Sequence, residues 1–537
     1  MSTASPAAPG QVELTYASAQ GRWVLLATVL GSAMASVDAT VVGIALPAIG
    51  KDFHASLSTL QWVVTAYTLT LAGLLLLAGA LGDRYGRKKV FLIGVVWFAL
   101  ASVLCGIAPN APVLIAARAV QGIGGALMTP ASLAIIEASF APADRTHAIG
   151  TWAGFNGVSA AIAPFAGGWL LQAGSWRPIF LINIPVAAVA AWATRRHVPE
   201  SKDPSASGRP DWPGALAGAA ALAAITYAII VAPDRGIRSP GFAGAAVLAV
   251  ASGAAFAAAE RRGSHPMLPP AIFAPAQFRA ANAVTFVVNG ALGGFAFVFI
   301  PALEIIAGYS PVVAGSALVP VTVVTMLLSG PSGQLATRIG PRPPLVAGCL
   351  ACAAGSLLAV RIGPHAGYWT AVFPLAVLFG LGLAALMPPL TATAMNSAPD
   401  SLAGLASGVN NAVARVAGLL WIAALPPLTG LTGAAYTDPA QFRTSFTQIA
   451  WTCAAAFACA AALAATFITR PARPAPAPRA ALIQTPVPHL ACPVTVSPAP
   501  GHTRRPDSSQ LTGRSGAAEP PHPAGPDKPG PRTGSKR

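Results

Sequence analysis

GDRYGRKKV (residues 82–90) places one acid and four bases within nine residues of a chain that is only 9% charged. It lies between QWVVTAYTLTLAGLLLLAGAL (61–81) and FLIGVVWFALASVLCGIAP (91–109), neither of which carries an Asp, Glu, Lys or Arg. A helix needs roughly 20 apolar residues to cross the hydrocarbon core of a bilayer. Two such runs joined by a charged nonapeptide read as two membrane helices with a polar turn between them. The alternation recurs along all 537 residues, 54% of which are hydrophobic, with 53 Gly and 51 Pro. Membrane helices tolerate Gly and Pro better than soluble ones do. The chain reads as an all-α integral membrane protein.

Hydropathy marks about fourteen spans, at 22–49, 60–81, 89–108, 113–136, 148–171, 178–194, 213–232, 241–259, 281–307, 312–335, 344–361, 369–393, 403–428 and 446–469. Residues 1–21 contain no basic stretch ahead of an apolar run, so they do not resemble a cleaved signal peptide. Lys and Arg number fourteen in the loops on the side of Arg84 and six in the loops on the other side. The positive-inside rule then puts GDRYGRKKV in the cytoplasm of a bacterial inner (cell) membrane. With an even number of spans, both termini are cytoplasmic. The tail 470–537 has sixteen prolines, a net charge of +7 and no long apolar run, so it is expected to be disordered. The overall charge of +16 is thus mostly topology signal plus a basic tail. It does not point to nucleic acid; the tail reads first as an unselected extension, with contact of its bases to anionic membrane lipid as the alternative. Of the six cysteines, Cys349 and Cys352 form a C-x-x-C inside a span, where packing is the expected role, and Cys492 lies in the tail.

The chain repeats internally. GALGDRYGRKK (79–89) is echoed by GQLATRIGPRP (333–343), aligning Arg84 with Arg338 and Gly86 with Gly340. PADRTHAIG (142–150) is echoed by PDSLAGLAS (399–407). Each echo falls at the same place in a six-span set if spans 7 and 8 are an insertion. The expected architecture is a cytoplasmic segment 1–21, a six-helix bundle 22–194, a linker with two extra membrane helices 195–280, a second six-helix bundle 281–469, and the tail 470–537. Paired bundles of this kind are the plan of a transporter that rocks one half against the other.

Over residues 22–470 the chain resembles the major facilitator superfamily, in particular its fourteen-span drug:proton antiporters. The resemblance is carried by VDATVVGIALPAIG (37–50), QWVVTAYTL (61–69), GDRYGRKKV, RAVQGIGGALMTP (118–130), GTWAGFNGVSAAIAPFAGG (150–168) and SWRPIFLINIP (175–185). The match departs at Gly43, where Asn is usual, and at Ser159 and Ala163, where Gly is usual. The resemblance implies two six-helix bundles with two extra central helices, and proton-coupled export of drugs, antibiotics or other amphiphilic organic compounds. The alternative on the same fold is uptake or exchange of a metabolite. A single chain is taken as the functional unit.

Individual residues carry further expectations. Asp38 lies near mid-membrane, where a carboxylate must pair, protonate or face a polar cavity. It is the leading proton carrier, the alternative being a static hydrogen bond through Thr40. Arg118, inside span 4, is its expected partner by resemblance, and Glu304 is a third candidate for proton coupling. In the resemblance, Gly82, Asp83, Arg84, Gly86, Arg87 and Lys88 form a gate. Asp83 is expected to meet the start of span 13, near Asp400, because an anion is favoured at a helix N-terminus. Gly150, Pro164, Gly167 and Gly168 belong to the antiporter motif, a tight interface between the halves. Substrate contact is assigned to Asp38, Trp62, Tyr67, Gln121 and Arg415. No phosphate-cradling G-x-x-x-x-G-K-[ST], H-E-x-x-H or G-x-S-x-G elbow is present, so neither enzyme chemistry nor a cofactor or metal is expected.

Overall fold

The computed structural model describes residues 14–172, 174–203, 211–262, 268–398, 403–432 and 438–469. The tail 470–537, Cys492, Asp400 and residues 1–13 of the first segment lie outside the described residues. The described chain is helical almost throughout; its only strand-like pairing is an isolated bridge between Leu14 and Phe140. Fourteen long helices follow one another: α1 (Ala19–Phe53), α2 (Leu57–Tyr85), α3 (Arg87–Gly106), α4 (Ala111–Ser139), α5 (Pro142–Leu171), α6 (Pro178–His197), α7 (Trp212–Arg235), α8 (Pro240–Arg262), α9 (Ala276–Ile305), α10 (Pro311–Ile339), α11 (Arg342–Arg361), α12 (Tyr368–Asn396), α13 (Ala403–Leu428) and α14 (Pro439–Phe467). Thirteen of them are long and apolar enough, over their described residues, to cross a membrane. The 30-residue α5 occupies the remaining expected span. The short span expected at 178–194 is a full helix reaching His197, broken once at Ile182.

Polar side chains set several of the helix starts. Ser18, Ser56, Asn110, Asp211 and Asp438 each accept a hydrogen bond from a first-turn N–H of the helix that follows. Such caps satisfy donors that the helix itself leaves unpaired. The internal repeat shows most clearly at two helix ends. α2 stops at Gly86 with φ +116° and α10 stops at Gly340 with φ +93°. A side chain at either position would strain the turn, so glycine is required in both halves.

The helices pack in two groups. In the first bundle α3 and α2 lie on α4, and α1 on α5 and α6; in the second, α12 packs on α10 and α11, and α9 on α13 and α14. The extra helices α7 and α8 form a hairpin on the outside of this assembly. α7 lies along both α2 and α13, with Leu222 buried between Ala72 and Leu419. The insertion therefore braces the α2–α13 seam between the halves.

The two ends of the molecule differ. Call the face carrying the α2–α3 turn the near face. Towards the far face, one continuous apolar core joins the halves, with Val41, Ile44 and Ala163 in the same cluster as Val298, Ala314 and Leu425. Towards the near face the cores separate, one around Phe91 and Ile135, the other around Phe278 and Val409.

Candidate functional site

Five helices of the first bundle converge on Asp38, which is 2% exposed. Its Oδ2 accepts from Arg118 Nη1 at 2.5 Å. Its Oδ1 accepts from Gln121 Nε2 at 2.8 Å and from Asn183 Nδ2 at 3.1 Å. Gln121 and Asn183 also donate to Ser102 Oγ, at 2.9 and 3.3 Å. Arg118 donates in addition to Gln121 Oε1 at 2.6 Å and, through Nε, to the Val63 carbonyl at 3.1 Å. The Tyr67 ring stacks on the guanidinium, 4.4 Å from Cζ. Asp38 comes from α1, Tyr67 and Val63 from α2, Ser102 from α3, Arg118 and Gln121 from α4, and Asn183 from α6.

Helical periodicity explains the convergence. Arg118 and Gln121 are three residues apart on α4 and so share a face. The three donors to Asp38 satisfy its ionised form, and a charge taken out of water is tolerable only with that degree of pairing. Protonation would turn one carboxylate oxygen into a donor and remove the countercharge of Arg118. The two amides can answer by presenting their oxygen atoms instead. Both Arg118 and Gln121 are sealed from solvent here, at 1% and 0% exposure.

The expected proton-coupling pair is therefore brought together, while Asn183 and Ser102 join it without having been singled out. Thr40 does not take part: its hydroxyl donates to Ser36 of its own helix. Glu304 stands apart at the far end of α9, with Oε1 buried and lacking a hydrogen-bond partner. Of the residues expected to contact substrate, Asp38 and Gln121 are enclosed within the first bundle, and Trp62 turns outward to Tyr227 of α7, ring centroids 6.2 Å apart. Tyr67 and Arg415 come within electrostatic reach of one another across the halves. Arg415 has a buried Nε without a hydrogen-bond partner. An apolar groove of about 360 Å³ between α2, α3, α4 and Trp212 shares no residue with the cluster.

The GDRYGRKKV turn is a knot of local contacts. Asp83 pairs with Arg87 at 2.9 Å, and Arg87 also donates to the Ala134 carbonyl at 3.3 Å. Arg84 lies over the Tyr85 ring at 5.6 Å. Lys88 donates through Nζ to the Arg195 carbonyl, and its backbone N–H donates to Glu200 Oε1, both at 3.1 Å. The φ of +116° at Gly86 is what holds the turn to glycine; the Glu200 carboxylate, 2.7 Å from where a Cβ would stand, is the end of a flexible side chain. Gly82 has open space around it. Asp400, near which the partner of Asp83 is expected, lies outside the described residues; within them the ion pair of Asp83 is to Arg87.

The antiporter motif divides along α5. At the far end a Cβ on Gly168 would come within 2.7 Å of Val312 Cα on α10, and one on Gly167 within 3.0 Å of Val41. A Cβ on Gly315 of α10 would meet the Pro164 carbonyl at 2.8 Å. Nearer the other face, Gly150, Gly154 and Gly157 have nothing within 4 Å, and Val319–Ile339 of α10 has no buried residue. The α5–α10 seam is closed at the far face and open at the near face.

A family model described as Major Facilitator Superfamily matches residues 28–423. The chain is 36% identical over 433 residues to a tetracenomycin C resistance and export protein of Streptomyces glaucescens, covering 79% of each. It is 37% identical over 441 residues to a puromycin resistance protein of Streptomyces alboniger, covering 80% of this chain and 86% of that one. A methylenomycin A resistance protein of Bacillus subtilis is 35% identical over 408 residues, covering 76% and 87%. Among solved structures, an inward-facing, unoccupied bacterial homolog of the human lysosomal transporter Spinster aligns with TM-score 0.57 and 19% identity, covering 84% of this chain and 97% of that one. A POT family transporter in complex with 5-aminolevulinic acid aligns with TM-score 0.62 and 13% identity, covering 83% and 96%. The structures agree in fold.

Proposed function

We infer the function from one premise: the chain belongs to the major facilitator superfamily. It is a proton-coupled exporter of antibiotics or other amphiphilic organic compounds, working by alternating access with the near face in the cytoplasm. The observation that carries this reading is the sealed Asp38–Arg118 pair, a buried carboxylate held by three donors inside one half. Relatives described as antibiotic resistance proteins support the cargo class. The described conformation, shut at the far face, is the one that would load cargo from inside. Entry of a proton from outside requires the opposite conformation, and exchange follows if proton and cargo favour different states.

The roles divide accordingly. The bundles 22–194 and 281–469 rock; 195–280 carries the brace. Asp83 and its basic neighbours bias the near gate, while Gly167, Gly168 and Pro164 hold the far seam of α5. Arg415 and the buried Tyr67 are the proposed cargo contacts, reached once the halves part. One chain forms the whole path.

The test is expression in a bacterial strain lacking its own efflux pumps, with a panel of amphiphilic antibiotics. The expected result is raised resistance to at least one compound, abolished by a protonophore and unaffected by removing ATP alone. Uptake of a metabolite in place of resistance would refute drug export while leaving the fold assignment intact.

A further inference from the structure

α13 contains adjacent prolines, Pro426 and Pro427, inside its last turns. A helical N–H pairs with the carbonyl four residues earlier, and proline has no N–H. The pair therefore leaves the carbonyls of Ile422 and Ala423 without their regular helical donors. The carboxamide of Gln61, on α2 in the other half, donates to both: Nε2 lies 2.8 Å from the Ile422 oxygen and 3.1 Å from the Ala423 oxygen. Gln61 is 3% exposed and shares a far-face crevice with Ser58, Pro427 and Thr432.

The same device occurs once within a single bundle. Pro388 and Pro389 of α12 likewise free the carbonyls of Ala384 and Ala385, and Ser332 of α10 donates to Ala385 at 3.3 Å. That contact joins two helices of one rocking body. The Gln61 contact joins the two bodies themselves, so it must break whenever the far face opens. It also sits two residues from Val63, whose carbonyl is held by Arg118 of the buried ion pair. A single turn of α2 thus connects the proton site to the far seam.

We propose that Gln61 is the far-face latch of this transporter, engaging the two carbonyls freed by Pro426 and Pro427 to hold α2 on α13, and releasing them when the far face opens. The proposal rests on the alternating-access reading. Its readout is a distance, so it stands or falls independently of which compound is exported.

The experiment uses the full chain with Cys459 and Cys492 replaced by serine and spin labels at Ser58→Cys and Thr432→Cys, with distances measured in lipid nanodiscs. Gln61→Leu keeps the bulk and removes the donors. It is expected to raise the long-distance, far-face-open population about fivefold, the ratio that corresponds to the net worth of a typical hydrogen bond. Pro426→Ala combined with Pro427→Ala restores helical N–H groups that compete for the same carbonyls, and should open the far face in the same direction. Adding Gln61→Leu to that pair should change nothing more, since coupled sites are not additive. An unchanged distance distribution in Gln61→Leu, or effects of the two changes that sum in full, would overturn the latch. If Gln61→Leu does not fold, the proline variant alone decides: a shift to long distances supports the latch, and none overturns it.

Discussion

The two bundles share a repeat but not an interior. In the first, an Asp and an Arg are buried together and every polar atom of Asp38 is bonded. In the second, the corresponding buried polar contacts are neutral: Asn410 donates to Asn282 at 3.2 Å and to Thr285 at 2.9 Å. Two ionisable side chains of the second bundle keep a buried atom without a hydrogen-bond partner, Glu304 at Oε1 and Arg415 at Nε. A saturated ionic cluster is costly to break and responds to one proton; an amide–hydroxyl cluster mainly fixes helix packing. The difference makes the first half the place to test for proton chemistry, and leaves the second half Arg415 with a buried, unpartnered Nε.

The strongest way to break this comparison is Arg118→Met. It strands the Asp38 carboxylate without its countercharge, and removing one partner of a buried pair costs about 3–5 kcal/mol. The expected outcome is a large drop in melting temperature in detergent, mostly recovered when Asp38→Asn is added. A single variant as stable as the parent would show that the pair is not what holds the first bundle together. Next comes Asp83→Asn. Its pairing with Arg87 is partly exposed, so stability should move by no more than about 0.5 kcal/mol. Transport, however, should slow by a factor within about five- to 150-fold, the range of a coupling worth 1–3 kcal/mol. Unchanged transport rates in reconstituted vesicles would reduce GDRYGRKKV to a topology anchor. The smallest effect on transport is expected from Asn410→Leu, which removes the donor shared by Asn282 and Thr285. It should cost about 1–3 kcal/mol of stability for partners left unsatisfied, and leave the number of protons moved per cargo unaltered. A change in that stoichiometry would place proton chemistry in the second half as well.

How much of this is legible in the linear chain depends on contrast. The spans, the near-face turn and the Gly86–Gly340 correspondence are legible because charge and glycine stand out against apolar runs. Asp38, Arg118 and Gln121 are visible for the same reason. Asn183 is not, since it opens a helix beside Pro178 and Pro185 and resembles a cap or a kink until α6 is folded against α1. Ser102 is one hydroxyl in a long apolar stretch. Trp62 and Tyr67 share a helix, yet they point in different directions, and only the docking of α7 on α2 shows that Trp62 belongs to the brace. Gln61 acquires meaning from two prolines more than 360 residues later. Such pairings are non-local, and no window on the sequence contains them.

The central claim is that Asp38 carries the proton that drives export. Asp38→Asn keeps the size of the side chain but turns one acceptor oxygen into a donor, as protonation would, and fixes it in a neutral form, so cargo binding should survive while coupling is lost. The direct measurement is cargo-induced proton release from reconstituted vesicles under an imposed pH gradient, parent against Asp38→Asn. The account predicts proton release with the parent and none with Asp38→Asn, while cargo still binds. Equal, undiminished proton flux in the variant would contradict it and move the coupling role to Glu304 or another group.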